Sequence, residues 1–402
     1  MRIPVFWVLI QLIVVLCFHR AISGQEVEER NDVSANVNDQ YEHTTGQNKI
    51  VVIGDLHGDL QSARHVLRMA GVLNAESQKI ELEGDWPLVG QTNSDFWVGG
   101  DMVLVSLGDL FDRGDDSIEI TELLRRLQMQ AETSGGKVVV ILGNHEIMNL
   151  SGDWRYVSQA EIQRAGGVRG RAMRLLSEGD LGRWLRDQRI AYIAGDALLA
   201  HAGIEPEIAA KASIRDMNIE AKSILQQMQY SWTPQDLQKV DPKGLLGLNG
   251  VTWTRTFFAA WRDAAGTTEA MCHTVRRTLD IVNKRRDNKS KVNRMIIGHN
   301  VQQDGKVRID CDGTLLSVDV AMSSAYGGLG LAAAVLQKNP DSDNKSQDKW
   351  DVQVITPCHE DSLLEGDARS QLQHKFGCVA KNIPEASAVT QNDSDELVHE
   401  EL

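Results

Sequence analysis

Five short blocks of the sequence combine glycine with aspartate, asparagine or histidine, and these polar residue types bind divalent metal ions. A glycine–aspartate pair alone is a common turn, and a lone histidine after a strand is commonly structural. Five blocks that each follow a predicted strand favour a metal site instead. They are G-D-L-H-G at 54–58, G-D-L-F-D-R-G at 108–114, G-N-H-E at 143–146, H-A-G at 201–203 and G-H-N at 298–300.

The elements that must position these blocks are strands of an α/β core. A short apolar run, as expected of a buried strand, precedes each block. Helical patterns at 60–70 and 117–130 alternate with the first strands, which favours an α/β layered fold. Because ligands of open α/β sheets bind at the carboxyl ends of strands, we expect the five blocks to meet. The predicted strands are 49–53, 102–107, 137–142, 197–200, 294–297 and 315–318.

Two metal ions held side by side need a bridging carboxylate and further ligands for each ion. Asp109 in the second block is the natural bridge, and Asp55 with His57 can converge on one ion through a local bend. Manganese, iron and zinc all suit such ligands. The second ion would be completed by Asn144, His201 and His299.

The blocks, in this order, resemble the phosphoprotein phosphatase family of metallophosphoesterases. Four further runs are similar to the Shewanella-like, bacterial-type branch: E-I-M-N-L at 146–150, G-D-W-R-Y-V at 152–157, W-T-R at 253–255 and V-D-V-A-M-S at 318–323. Tyr326 is similar to a family tyrosine near the substrate. The resemblance implies a four-layer α/β sandwich of two mixed sheets flanked by helices, with two divalent metal ions at the site.

The same resemblance implies roles for individual residues. His145 would be the general acid, and Asp112 would orient it. Arg113 and Arg255 would bind phosphate oxygens, with Arg169 as the alternative to Arg255. The implied reaction is the dephosphorylation of phosphoserine or phosphothreonine in a protein or peptide, by direct attack of a metal-bridging hydroxide.

Two other functions fit parts of this pattern. A nucleotide pyrophosphohydrolase of the diadenosine tetraphosphatase type uses the same metal site. A catalytically silent luminal binding protein could keep the fold as an interaction module, although every expected ligand position is filled. The metal core contacts only phosphate, so these residues do not separate phosphoserine, phosphothreonine and phosphotyrosine.

Charge and the two ends of the chain bear on partners and location. The 402 residues carry a formal charge of −14, which disfavours nucleic acid as the partner. Residues 1–23 predict a cleaved signal peptide, because the apolar run at 5–18 is shorter than the roughly 20 residues of a spanning helix. No stable membrane insertion is therefore expected. The final H-E-E-L resembles the tetrapeptides that a retrieval receptor binds, which predicts residence in the endoplasmic reticulum lumen.

Composition divides the rest of the chain. Residues 24–48 are predicted to be a disordered acidic lead-in, and 49–336 the catalytic domain with a helical or irregular insertion at 213–293. A polar extension at 337–382, with a strand-like run at 352–355, and an acidic tail at 383–402 follow. Four cysteines outside the signal peptide allow three pairings, and free thiols remain an alternative. The glycosylation sequon at Asn149 follows the G-N-H-E block, so no glycan is expected there.

Overall fold

A computed structural model describes residues 42–43, 48–75, 95–258, 265–286, 290–340, 349–359 and 362–376. The predicted signal peptide, most of the lead-in, the end of the polar extension and the acidic tail with H-E-E-L lie outside these ranges. Within the ranges, every helix is too short or too polar to cross a bilayer.

The strands of the described residues form two mixed sheets, as predicted from the resemblance. The strands are β1 (Glu42–His43), β2 (Lys49–Ile53), β3 (Val103–Ser106), β4 (Lys137–Val140), β5 (Ala191–Ala194), β6 (Ala197–Ala200), β7 (Arg294–Ile297), β8 (Arg308–Asp310), β9 (Leu315–Ser317), β10 (Ala333–Lys338) and β11 (Trp350–Ile355). One sheet has the order β1-β5-β6-β7-β9-β8, and the other has the order β11-β10-β2-β3-β4.

Helices connect the strands and begin at recognisable caps. The side chain of Asp59 accepts from the Ser62 backbone N–H before α1, and Thr233 with Pro234 begins α9. The helices are α1 (Leu60–Met69), α2 (Ser117–Thr133), α3 (Asn144–Ser151), α4 (Gln159–Arg164), α5 (Gly167–Leu175), α6 (Asp180–Arg186), α7 (Pro206–Ala209), α8 (Ile214–Gln227), α9 (Pro234–Val240), α10 (Ala265–Arg285) and α11 (Gly366–Lys375).

Alternate residues of the strands build two separate apolar layers. Val52 and Val105 pack with Leu199 and Ile296 of the other sheet, so the two sheets face each other. Residues on the opposite faces of the strands, such as Val51, pack instead against the helices. The order of layers is helix, sheet, sheet, helix, which confirms the predicted four-layer α/β fold.

The structure corrects two predicted boundaries. Glu42–His43, in the lead-in predicted to be disordered, form β1 and pair in parallel with Ile193 and Ala194. Strand β10 crosses the predicted domain end at residue 336, and β11 of the polar extension pairs with it. Strand pairing at a sheet edge uses backbone groups, which composition does not reveal.

The described residues of the segment 213–293 include three helices, α8, α9 and α10. A disulfide joins Cys272 of α10 to Cys311 before β9, one of the pairings that the sequence left open. Cys358 is also disulfide-bonded. These bonds exclude free thiols at the three positions.

Candidate metal centre

The carboxyl ends of five strands bring the predicted blocks together. Strands β2, β3 and β4 are parallel neighbours in one sheet, and β6 and β7 are parallel neighbours in the other. One hydrogen bond and one close contact join blocks that are far apart in sequence: the His299 backbone N–H donates to Asp55 at 3.0 Å, and His201 Nε2 lies 3.0 Å from Asn144 Oδ1. All six predicted ligands therefore line one buried site.

Asp109 lies at the centre of this site. Its Oδ1 is 3.3 Å from His201 Nε2, and its Oδ2 is 3.7 Å from His57 Nε2. Two groups of possible ligand atoms share this carboxylate, one with His57 and His145, the other with His201 and His299. This arrangement is what a bridging ligand between two ions requires.

Three histidines each use one ring nitrogen on a backbone carbonyl. His57 Nδ1 lies 3.0 Å from the Phe111 oxygen, and His201 Nδ1 lies 2.8 Å from the Leu107 oxygen. His299 Nε2 lies 3.1 Å from the Trp253 oxygen. A carbonyl accepts only from N–H, so in the neutral form of each ring the other nitrogen carries the lone pair that a metal ion needs.

The donor atoms converge as ligands of a common cation would. His201 Nε2 is 3.0 Å from Asn144 Oδ1, 3.2 Å from His299 Nδ1 and 3.3 Å from Asp109 Oδ1. With His201 neutral, which is the metal-binding form, four electron-donor atoms are directed at one another. Their mutual repulsion is relieved by a positive ion among them, so these residues fit a divalent metal.

Buried charge points the same way. Burial, together with Asp319 and Asp109, raises the pKa of Asp55 well above its usual range. Burial also lowers the pKa of His57 to about 4 and, with His201, that of His299 to about 3. These rings are neutral, which is the metal-binding form. Burial opposes protonation of His201, yet the Asp109 carboxylate raises its pKa above the usual value. The buried carboxylates of this pocket thus favour positive charge beside them, which bound cations would supply.

Two glycines let backbone approach the ligands. A Cβ atom at residue 143 would lie 2.2 Å from Asp109 Oδ1, and one at residue 298 would lie 2.2 Å from Asp55 Oδ1. Any side chain at Gly143 or Gly298 would therefore displace a ligand carboxylate.

Glu146 holds the loop that carries Asp109. Its two carboxylate oxygens accept from the backbone N–H groups of Asp109 at 2.9 Å, Leu110 at 2.8 Å, Phe111 at 3.3 Å and Gly143 at 2.6 Å. The residue is fully buried on α3. One side chain thereby fixes the end of β3 relative to the end of β4.

His145 differs from the other histidines because its partner is a carboxylate. Its Nδ1 lies 2.5 Å from Asp112 Oδ2. Burial opposes protonation, yet the neighbouring carboxylates of Asp109 and Asp112 raise the pKa of His145 above its usual value. The geometry suits a proton donor, as predicted. The ring of His145 also lies close enough to Asp109 for the two side chains to contact the same metal ion.

Exposed arginines and half-buried tyrosines form the rim of the site. The Arg113 guanidinium lies 3.9 Å from the Tyr156 ring centroid and 5.7 Å from that of Tyr326. Arg255 Nη1 donates to the His299 carbonyl at 2.8 Å, which places this arginine at the second group of ligands. Arg169, the alternative, is exposed on α5. The structure thus favours Arg113 and Arg255 as neighbours of the site.

Sequence reasoning gave no role to several buried residues of the site. Asp319 follows β9 and affects the pKa of Asp55, so the rule of polar residues at strand ends would have found it. Asn149 belongs to the E-I-M-N-L run and to a sequon but was given no role at the site, and the structure buries it completely beside Asp112. The fully buried Arg171 donates hydrogen bonds to both Asn149 and Glu161.

Comparisons with known proteins agree with the site. A family model described as calcineurin-like phosphoesterase matches residues 48–300. Shewanella-like protein phosphatase 2 of Arabidopsis thaliana is 26% identical over 318 residues, which cover 68% of this chain and 71% of that protein. Shewanella-like protein phosphatase 1 of Plasmodium berghei (strain Anka) is 24% identical over 300 residues, with 74% and 73% covered.

A solved structure shows the same fold. The cold-active protein-tyrosine phosphatase of a psychrophilic Shewanella species aligns with a TM-score of 0.55 and 21% identity, over 79% of this chain and 82% of that one. The predicted resemblance and fold are both confirmed by these comparisons. They support a metal-dependent phosphoesterase.

Proposed function

Because the chain belongs to the calcineurin-like phosphoesterase family, we propose that it is a two-metal phosphatase that removes phosphate from serine and threonine residues of proteins. The observation that carries this proposal is the Asp109 carboxylate, shared by two groups of ligands beside the His145–Asp112 pair. Both named relatives are protein phosphatases by name, which supports a protein substrate.

In this proposal the ligands divide as predicted. Asp55, His57 and Asp109 would hold one ion, and Asp109 would also serve the second with Asn144, His201 and His299. Bound divalent ions would lower the pKa of the attacking water and offset charge on the phosphate oxygens. The best candidates are manganese, iron and zinc, since the ligand set mixes imidazole with oxygen donors.

The chain's own residues perform the remaining steps. Arg113, at the rim, binds phosphate oxygens and stabilises the charge that develops on them. His145 keeps its Nδ1 on Asp112, so its Nε2 is the nitrogen that can pass a proton to the departing oxygen. Serine and threonine leave as strongly basic alkoxides that need this proton. A built general acid therefore equips the site for phosphoserine and phosphothreonine.

A cavity beside the site offers room for the polypeptide around the phosphorylated residue. Its volume is about 680 Å³, and it extends from Tyr156 and Trp253 at the metal centre to Trp232 and Leu248. Most of its wall comes from the segment after α3 and from residues 228–253. Its apolar and aromatic wall can receive the side chains that flank a phosphorylated residue, which supports a protein substrate.

The test is phosphate release by the purified full-length protein from matched phosphoserine, phosphothreonine and phosphotyrosine peptides and from diadenosine tetraphosphate. We expect turnover of the first two, its loss in a chelator, and its return with manganese. The Asp109→Asn variant serves as the control. Cleavage of the dinucleotide alone would instead assign a nucleotide pyrophosphohydrolase, and no turnover with bound metal would assign a silent binding protein.

We also propose that the protein resides in the endoplasmic reticulum lumen. Disulfide bonds such as Cys272–Cys311 support an oxidising compartment. Deleting His399–Leu402 from the full chain is expected to send the protein into the medium of secreting cells. Retention of the truncated protein would count against receptor retrieval.

A further inference from the structure

Asp112, the partner of His145, is held by a set of buried residues outside the metal ligands. Asp112, Ser117, Asn149 and Arg171 are 0% exposed, and Glu161 is 1% exposed. Charged residues are almost never fully buried unless paired, so their placement needs a physical reason. Two chains of hydrogen bonds connect these residues to Asp112.

The first chain of hydrogen bonds runs through side chains. Asn149 Nδ2 donates to Asp112 Oδ1 at 3.0 Å, and Arg171 Nη2 donates to Asn149 Oδ1 at 2.7 Å. Asn149 lies one helical turn after His145 on α3, and its Nδ2 also donates to the His145 carbonyl at 2.8 Å. The two oxygens of Asp112 are thus divided between His145 and Asn149.

Arg171 decides which way the Asn149 amide faces. Both Asn149 Nδ2 hydrogens have acceptors, and Asn149 Oδ1 has the donor of Arg171. A flipped amide would place its oxygen against the Asp112 carboxylate and its NH₂ against the guanidinium. The guanidinium therefore locks the orientation in which Asn149 donates to Asp112.

The second chain of hydrogen bonds runs through backbone. Arg171 Nε donates to Glu161 Oε1 at 2.8 Å, and Glu161 Oε2 accepts from the Ser117 N–H at 3.1 Å. The Ser117 hydroxyl in turn accepts from the Asp112 N–H at 3.1 Å. Asp112 has a φ of 73°, a left-handed backbone that a non-glycine residue keeps only under external support. The Arg171–Glu161 pair supplies that support.

We propose that Asn149 and Arg171 are positioning residues for the general acid: Arg171 orients Asn149, and Asn149 fixes the Asp112 carboxylate against His145. This proposal rests on the phosphatase function proposed above. It extends the site to α4 and α5, which carry Glu161 and Arg171 and reach His145 only through Asn149, Ser117 and Asp112.

The test uses the leaving group. A phosphoserine peptide needs a proton on its departing alkoxide, whereas 4-nitrophenyl phosphate releases a weakly basic phenolate that does not. A well-placed acid contributes ~10²–10⁴ in rate, so for Asn149→Ala we expect kcat on the phosphoserine peptide to fall about 10- to 100-fold. The kcat on 4-nitrophenyl phosphate is expected to fall less than about threefold, since the acid contributes little there.

Two further variants sharpen the result. Arg171→Lys keeps a cation beside Glu161 but lacks the planar guanidinium. It is expected to lower kcat on the phosphoserine peptide relative to kcat on 4-nitrophenyl phosphate, as Asn149→Ala does, but by a smaller factor. Adding Asn149→Ala to Asp112→Ala is expected to cause no further change in the ratio of the two kcat values, because residues acting in one chain are not additive.

Asn218→Ala is the matched control for loss of a buried asparagine. Asn218 Oδ1 accepts from the Ile190 N–H at 2.8 Å, and its Nδ2 donates to the Ile214 carbonyl at 2.8 Å, away from the metal centre. This variant is expected to lower stability and leave the kcat ratio unchanged. The ratio is read on one sample, so it does not depend on the fraction of protein that is folded.

If Asn149→Ala and Arg171→Lys leave the ratio of the two kcat values unchanged, because kcat falls equally on both substrates, the positioning role is wrong. An additive effect in the double variant contradicts that role as well. Wild-type protein that hydrolyses neither substrate contradicts the phosphatase function itself, which is a different failure.

Discussion

Replacing Glu146 by glutamine tests whether one buried carboxylate organises the metal centre. The two oxygens of Glu146 accept from four backbone N–H groups, those of Asp109, Leu110, Phe111 and Gly143. In Glu146→Gln, one oxygen still accepts, but the new NH₂ faces the N–H donors of the other pair. Two buried N–H groups are then left without an acceptor.

The magnitude follows from these contacts. Each unsatisfied buried donor costs about 1–3 kcal/mol, so the loss would be about 2–6 kcal/mol if nothing offset it. Burial and Asp109 raise the pKa of Glu146, which shows that its charge is unfavourable there, and a neutral amide recovers part of the cost. We expect a net loss of about 2–4 kcal/mol in the free energy of unfolding.

Metal affinity should change as well, because Glu146 fixes the backbone on which Asp109 stands. Changing a residue that orients a ligand costs 10–100-fold in metal affinity, or about 1.4–2.7 kcal/mol. Urea unfolding without metal measures the first effect. Manganese titration, followed by the rise in melting temperature, measures the second.

Asp241→Asn is the matched control. Asp241 is also a buried carboxylate that accepts from two backbone N–H groups, those of Leu245 at 2.8 Å and Leu246 at 2.7 Å. It is expected to lose stability while binding manganese as the wild type does. If Glu146→Gln bound manganese as tightly as Asp241→Asn, the assigned role of Glu146 would be wrong.

Three more predictions test separate parts of the structure. Asp109→Asn is expected to lose both bound ions and His299→Ala only one, as measured by elemental analysis, since both ligand groups share Asp109; loss of one ion in both variants would contradict the bridge. Arg113→Ala is expected to lower kcat about 10²–10³-fold on phosphoserine peptide and 4-nitrophenyl phosphate alike, because it acts on phosphate oxygens and not on the leaving group; a selective loss would refute this. Cys272→Ser with Cys311→Ser is expected to lower the free energy of unfolding by about 3–4 kcal/mol, the chain-entropy value for a 39-residue separation; an unchanged urea midpoint would show that the bond does not stabilise the fold.

The ligands could be predicted because each lies in a local pattern that the fold uses directly. An apolar run, then glycine, then a polar residue describes the end of a buried strand, and parallel strands end at one edge. Asp319 follows β9 in the same way, so this local pattern also predicts its place at the site. Glu146 stood in a predicted block, but its partners at 109–111 lie about 36 residues away, so no local pattern shows the contact.

Arg171 and strand β1 show what such patterns miss. Arg171 lies in a polar helical stretch whose composition is typical of a solvent-exposed face, and it is buried only because Glu161 and Asn149 receive its guanidinium. Strand β1 has two residues and forms because the edge of β5 accepts them. Both depend on tertiary partners that composition and periodicity do not encode.

Backbone strain links these buried anchors to catalysis. His57, Asp109, Asp112, Arg113 and His299 all have positive φ, between 39° and 73°. Such conformations cost about 1–3 kcal/mol each in non-glycine residues and persist only where the surroundings over-determine them. Glu146 supplies the external contacts for residues 109–111 of the loop after β3, and the Arg171–Glu161 pair supplies them through Ser117 for Asp112 of the same loop. Two different buried carboxylates thus hold neighbouring parts of one loop, so we expect Glu146→Gln to act mainly on metal binding and Arg171→Lys mainly on proton transfer.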